Sequence, residues 1–340
     1  MFRKKKEINK DSPTYIDLFS GAGGFSLGFD RMGFKNIFSL DNETTFCKTY
    51  KKNFPNHILI EKDIAKLTKK EIKEIIGNQK VNVIIGGPPC QGFSIAGNIG
   101  RRFINDPRNY LFKEFIRVVE IIKPDFFVME NVARLYTHNN ENTKKEIILK
   151  FKEIGYYIEC KILNSADYGV PQIRKRVIFI GSKLTNNIFF PERSVISYKT
   201  VKEAIEDLPS LKSGQKSKIL NHIAMNHSDQ MLEKMKYISN GGNRNEIPKN
   251  IRPRTGDIRK YIKYNGNKPA ITITGDMRKV FHYFQNRALT VRELARLQSY
   301  PDNFIFEGTS ISQQQQVGNS VSPLMAEAIA YTIKKLINKN

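Results

Sequence analysis

Val81-Asn82-Val83-Ile84-Ile85-Gly86-Gly87-Pro88-Pro89-Cys90-Gln91-Gly92-Phe93-Ser94 is an apolar run that closes on two glycines and two prolines and then presents a cysteine. A short apolar run ended by glycine reads as a buried strand stopping at the carboxyl edge of a sheet, where α/β proteins keep their reactive groups. Pro88 and Pro89 fix φ and stiffen the approach to Cys90. The Pro-Pro and Gln-Gly flanks suit an exposed loop, which makes Cys90 a candidate nucleophile. The competing reading is a structural thiol packed as a small hydrophobe.

Similar runs recur to either side: Tyr15 to Phe19, Asn36 to Leu40, His57 to Ile60, Asp125 to Met129, Tyr157 to Leu163 and Val177 to Ile180. Their alternation with helical stretches predicts an α/β fold, a mostly parallel sheet with helices on both faces. Asn109 to Lys123 carries Leu111, Phe115, Val118, Val119 and Ile122 at helical spacing and stops at Pro124. From Lys183 to Asn286 the periodicity weakens. Asn240 to Gly256 is dense in Gly, Asn, Pro and Arg, which reads as long loops in a second, smaller domain. Regular helix resumes at Thr290 to Leu297 and from Pro323 to Ile337.

Charge narrows the partners. Against 33 Asp+Glu stand 56 Lys+Arg, a formal net charge of +23, the footprint of a protein that meets a polyanion, nucleic acid first. A lysine-rich composition without a binding role would give the same balance, and charge does not separate DNA from RNA. Three widely spaced cysteines, Cys47, Cys90 and Cys160, form no disulfide framework or CxxC pair, and the five histidines form no HExxH, so no metal is expected. The basic start Met1 to Lys6 is followed by no apolar segment, and no run approaches the ~18 apolar residues of a membrane span. A soluble, intracellular protein with no membrane partner is expected.

The first run ends in Asp17-Leu18-Phe19-Ser20-Gly21-Ala22-Gly23-Gly24-Phe25, a turn that lets a ligand approach the backbone. Its spacing is neither GxGxxG nor a P-loop, which disfavours a pyrophosphate. Asp41 follows about 20 residues later, where an acid accepts hydrogen bonds from ribose hydroxyls, and Asp63 could receive an adenine amino group. These features suggest an adenosine-bearing cofactor without phosphates, although a structural turn also explains the glycines. Phe126 to Met129 delivers Glu130-Asn131-Val132 to the same edge. A carboxyl lifted out of water there would have a raised pKa and could donate a hydrogen bond, whereas the ordinary fate of a glutamate is a cap or a surface. In extended chain Gln172, Arg174 and Arg176 share one face, as they also would in a salt-bridged edge strand.

In this order the segments resemble the S-adenosylmethionine-dependent cytosine-5 DNA methyltransferases of bacterial restriction-modification type. The resemblance extends through Arg287-Ala288-Leu289-Thr290-Val291-Arg292-Glu293-Leu294-Ala295-Arg296-Leu297-Gln298 and Gly318-Asn319-Ser320-Val321. It implies a Rossmann-like methyltransferase fold with a smaller, loop-rich target-recognition domain. Residues 12–190 would form the catalytic and cofactor-binding domain, completed by 317–338, with 191–286 for target recognition and 287–316 as a hinge. It implies S-adenosylmethionine as cofactor, S-adenosylhomocysteine as product, and no metal. The substrate would be double-stranded DNA, and the protein a monomer in the bacterial cytoplasm beside a cognate restriction endonuclease.

Carried over residue by residue, the resemblance lines the cofactor cleft with Phe19, Ala22, Gly24, Asp41, Asp63, Ile64, Gly87, Leu111, Asn319, Ser320 and Val321. Ala22 and Asn42 stand where many relatives carry a larger side chain. Cys90 would add to C6 of a flipped cytosine, Glu130 would act at N3, Arg176 would hold O2, and Arg174 would steady the loop or a phosphate. Gln91 and Ser94 beside the nucleophile, with Arg252, Arg254, Arg259 and Lys260 in the insertion, are the candidate DNA contacts, and Tyr261 and Tyr264 interleave with the basic residues. A solvated charged face remains the alternative for most of that stretch. Three rivals stay open: a nucleic-acid-binding regulator without turnover, an RNA cytosine methyltransferase of the same architecture, and a nucleotide-dependent oxidoreductase.

Overall fold

A computed structural model describes residues 12–89, 111–138, 141–253 and 260–339. The seven apolar runs become seven strands of one sheet. They are β1 (Thr14–Leu18), β2 (Lys35–Asp41), β3 (Leu59–Glu61), β4 (Val83–Gly86), β5 (Phe126–Val132), β6 (Tyr157–Asn164) and β7 (Lys175–Ser182). The spatial order is β3-β2-β1-β4-β5-β7-β6. Strands β1 to β5 run parallel, while β7 is antiparallel to both β5 and β6.

Alternation along the strands divides the core. On β4, Ile84 faces one side with Ile16, Leu18, Phe127 and Met129, under α3 (Lys69–Ile76), α4 (Leu111–Ile122) and α5 (Asn142–Glu153). Val83 and Ile85 face the other side with Tyr15, Phe126 and Val128. There α1 (Gly24–Arg31) and the last helix, α10 (Pro323–Lys339), supply Phe25, Phe29, Met325 and Ile329. The end of the chain thus returns to its first helix. A sheet covered on both faces explains why its strands read as continuous apolar runs.

Helix α2 (Thr44–Asn53) links this body to a further core through Tyr50 and Phe54. The weakly periodic stretch holds little regular structure: α6 (Val201–Ile205), α7 (Asp229–Lys236) and the two-residue strands β8 (Ile262–Lys263) and β9 (Val280–Phe281). After it come α8 (Val291–Leu297), opened by a Thr290/Glu293 capping box, and α9 (Ser310–Asn319). Among the described residues no helix is long and apolar enough to cross a membrane.

Candidate active site

The carboxyl ends of β1, β2, β4 and β5 meet at one cavity. Immediately after β1, Phe19 adopts φ 60°, a left-handed conformation rare for a bulky residue and the kind of backbone strain that collects at functional sites. Asp41 braces the glycine turn against β2, because its two carboxyl oxygens accept from Gly21 N at 2.8 Å and Glu43 N at 2.9 Å. Burial raises the pKa of this acid and those amide hydrogen bonds oppose the rise. Gly24 is required by close approach: a Cβ there would sit 2.2 Å from the Val321 carbonyl oxygen. Only glycine therefore lets the segment before α10 close over the turn.

Of the eleven cofactor residues expected from sequence, Phe19, Ala22, Gly24, Asp41, Gly87, Asn319, Ser320 and Val321 line this cavity. Asp63, Ile64 and Leu111 do not. Asp63 caps the turn after β3 by accepting from Ala65 N at 3.0 Å, Ile64 is core, and Leu111 packs against the same core. Asn42 lines the cavity beside Asp41. Glu43, Phe46 and Gln316, which no motif in the sequence singles out, also face it, as does Asp17, the first residue of the glycine-turn motif. Asp17 is the most informative of these. It is buried, its Oδ2 is hydrogen-bonded to Ser26 Oγ at 2.6 Å, and its Oδ1 has no partner among the described residues. The signal was present in the sequence as an acid inside an apolar strand.

Glu130 reaches the cavity from β5, and its Oε2 would lie 3.2 Å from a Cβ on Gly87. Arg176 Nε pairs with Glu130 Oε1 at 2.8 Å, so a guanidinium whose side chain is only 12 % exposed meets this carboxyl. The next residue, Asn131, donates from Nδ2 to the Pro88 carbonyl at 3.0 Å and holds the Pro-Pro segment against β5. Arg174 does not share the role of Arg176. It is 1 % exposed, donates to the Ile273 carbonyl at 3.0 Å, and donates to those of Gly318 and Ser320 at 2.8 and 3.0 Å. A guanidinium so committed cannot reach a phosphate; it ties the chain at Ile273 and the segment before α10 to the start of β7. Gln172 turns the same way, accepting from Ile273 N at 2.9 Å and donating to Gln298, which in turn donates to the Ser320 carbonyl at 2.8 Å.

The family model for C-5 cytosine-specific DNA methylases matches residues 14–335 of this chain. The chain belongs to that family. The type II methyltransferase M1.HphI of Haemophilus parahaemolyticus is 59 % identical to the methylase over 335 residues, 98 % of this chain and 90 % of that one. M.DdeI of Desulfomicrobium norvegicum is 37 % identical over 94 % of this chain and 88 % of its own. The methylase also superposes on a solved chain from an E. coli prophage, described as a candidate DNA modification methyltransferase. The TM-score is 0.78 at 29 % identity, with 96 % of this chain and all of that one covered.

The basic residues expected to contact DNA fare unevenly in the methylase. Arg252 turns its guanidinium inward to the carbonyls of Ile247, at 2.8 Å, and Asn245. Lys260 pairs with Asp276 at 3.0 Å. Both are partly exposed and already hydrogen-bonded to nearby protein groups. Lys263 is buried against Asn286, and Tyr264 belongs to the core, so neither is a surface group. Gln91, Ser94, Arg254 and Arg259, like Cys90, lie outside the described residues.

Proposed function

We propose that this DNA cytosine methyltransferase acts on a cytosine flipped out of a specific duplex sequence, through a transient bond between Cys90 and C6. The observation that carries the reading is Glu130, held by Arg176 at the cavity that the glycine turn opens, with Gly87 and Pro89 lining the same cavity one step before Cys90. Residues for an adenosine-type cofactor are present: Asp41 stands at the end of β2, Phe19 and Val321 offer apolar faces, and the free Oδ1 of Asp17 suits an amino group. S-adenosylmethionine, when bound, would supply an electrophilic methyl group for C5.

The chain's own groups do the rest. Cytosine C5 is a weak nucleophile, and addition of the Cys90 thiolate to C6 makes it enamine-like. Glu130 acts at N3, where charge builds as the thiolate adds, and Arg176 both orients Glu130 and offers a donor for O2. Removal of the C5 proton and departure of the Cys90 thiolate restore the aromatic ring. Because C6 is shielded in a stacked duplex, the base must leave the helix first, at a cost of a few kcal/mol. The names of the relatives support a type II modification role; a cognate restriction endonuclease as functional partner and a monomeric working form are part of the proposal.

Glu130→Gln tests the reading by tritiated methyl transfer to duplex DNA, with tRNA as the competing acceptor. Transfer to DNA is expected to fall by about a hundredfold, while S-adenosylhomocysteine affinity stays within a few-fold. A near-normal rate, or transfer to tRNA in preference to DNA, would contradict it.

A further inference from the structure

Behind the cavity a row of hydrogen-bonded side chains leads away from Asp17 to a partly exposed histidine. Ser26 Oγ lies 2.6 Å from Asp17 Oδ2 and 2.8 Å from Tyr50 Oη, which lies 2.9 Å from His57 Nδ1. His57 Nε2 is 3.2 Å from Asp30 Oδ2, and Tyr15 Oη donates to Asp30 Oδ1 at 2.7 Å. Ser39 is fully buried, its Oγ sits 2.6 Å from Tyr50 Oη, and it accepts from Asn36 Nδ2 at 3.1 Å; among the described residues Tyr50 is the acceptor left for its own proton. Only Asp17 among these residues lines the cavity.

Counting protons restricts the row to two states, because each hydroxyl donates once. With Asp17 ionised, Ser26 donates to it, so Tyr50 must donate to Ser26. Tyr50 then has no proton for His57 and must accept one from Nδ1–H. Nε2 faces a carboxylate that accepts from Tyr15, so Nε2 carries a proton as well, and His57 is an imidazolium paired with Asp30. With Asp17 protonated every donor reverses: Asp17 donates to Ser26, Ser26 to Tyr50 and Tyr50 to a neutral His57.

We propose that Ser26 and Tyr50 form a proton relay through which Asp17, on meeting the ammonium group of the cofactor, delivers its proton to His57. The inference rests on the cofactor reading above. One proton leaves Asp17 Oδ2, each hydroxyl takes one and gives one, and one arrives at His57 Nδ1, so the charge of the row is unchanged. In the resting state burial, opposed by the Ser26 hydrogen bond and aided by the nearby Asp41 and Asp30 charges, pushes the Asp17 carboxyl up to about 8. Tyr15, Tyr50 and Tyr300 are the other ionisable groups facing Asp17 or Asp30. An arriving cation favours the carboxylate, and the outer pair of His57 and Asp30, with side chains 14 % and 29 % exposed, accommodates the displaced proton. The methylase would thus bind its cofactor without expelling a proton to solvent.

The test is calorimetric titration of the whole protein with S-adenosylhomocysteine, which keeps the ammonium and lacks the sulfonium. Buffers of different ionisation enthalpy at neutral pH report protons released, and imidazole nitrogen shifts report His57. The unmodified protein is expected to release almost no proton while His57 turns from neutral to imidazolium. Tyr50→Phe, which keeps the ring and removes the link, is expected to release about one proton and to bind roughly tenfold more weakly one pH unit below the Asp17 pKa. A merely structural role for Tyr50 would leave proton release unchanged. A proton released by the unmodified protein, or a His57 that keeps one charge state through saturation, would overturn the relay with the cofactor reading intact. Absence of any binding heat would overturn both.

Discussion

Cys90→Ser is expected to abolish methyl transfer, a loss of more than about a thousandfold, while duplex affinity stays within a few-fold. A thiol is a few per cent thiolate near neutral pH and intrinsically nucleophilic, whereas a serine hydroxyl keeps its proton and would need a general base beside it. Glu130 is engaged by Arg176 and faces the cavity from β5. The proposed chemistry uses it at N3 and assigns no base to a serine at 90. Asn131 anchors the Pro88 carbonyl at 3.0 Å, and that anchor is untouched by the substitution. The loss should therefore appear in turnover rather than in folding or DNA binding. Tritiated methyl transfer and a filter-binding titration on the same preparation separate the two, and a near-normal rate would remove Cys90 from the account.

Glu293→Ala is expected to destabilise the fold by about 3–5 kcal/mol, because it leaves the Arg287 guanidinium as an unpaired buried charge. Each residue of the pair is 1 % exposed, and Arg287 donates to both Glu293 oxygens, at 2.8 and 2.6 Å. Its remaining donors go to Gln285 Oε1 and to the carbonyls of Leu211 and Ala288, so one side chain joins the 211 segment, the end of the insertion and α8. Burial alone would raise the Glu293 carboxyl, yet Arg287, with His282 and the Thr290 amide, holds it below the ordinary glutamate range. Glu293 also caps α8 by accepting from Thr290 N at 2.7 Å. Arg287→Met combined with Glu293→Gln removes the charge and keeps the cap acceptor, and should regain at least about half of the loss. Urea unfolding of the two variants decides it: a cost under about 1 kcal/mol for Glu293→Ala would show that the pair does not secure this junction.

The sheet was legible because covered strands must be apolar throughout, and all seven runs became strands. Strand placement was partly legible too. Glu159 and Lys161 in β6 mark an edge, while Val177 to Ile180 in β7 is buried throughout. The reversed direction of β7 has no comparable local mark, since alternation reports which faces are covered and not which way a strand runs. At the site, the glycine turn, Glu130 and Arg176 announced themselves through residue types placed just beyond strands. Arg174 was misread because two residues earlier or later on one strand face look alike in sequence, yet here the chain at Gln172 and Arg174 bonds to segments near 273, 298 and 320. Those partners lie too far along the chain for any local pattern to reveal. The basic stretch misled for a related reason: Lys263 closes the short strand β8 and Tyr264 follows it, both buried, which a count of charges does not register.

The most direct measurement is covalent trapping on duplex DNA in which the target cytosine is replaced by 5-fluorocytosine. Fluorine cannot leave as a cation, so once the methyl group is transferred the bond from the thiol to C6 cannot be released. In the presence of S-adenosylmethionine, the methylase should form a complex with this DNA that survives denaturing electrophoresis, and Cys90→Ser should form none. A protein that methylates ordinary cytosine yet leaves the fluorinated duplex unbound after denaturation would contradict attack by Cys90.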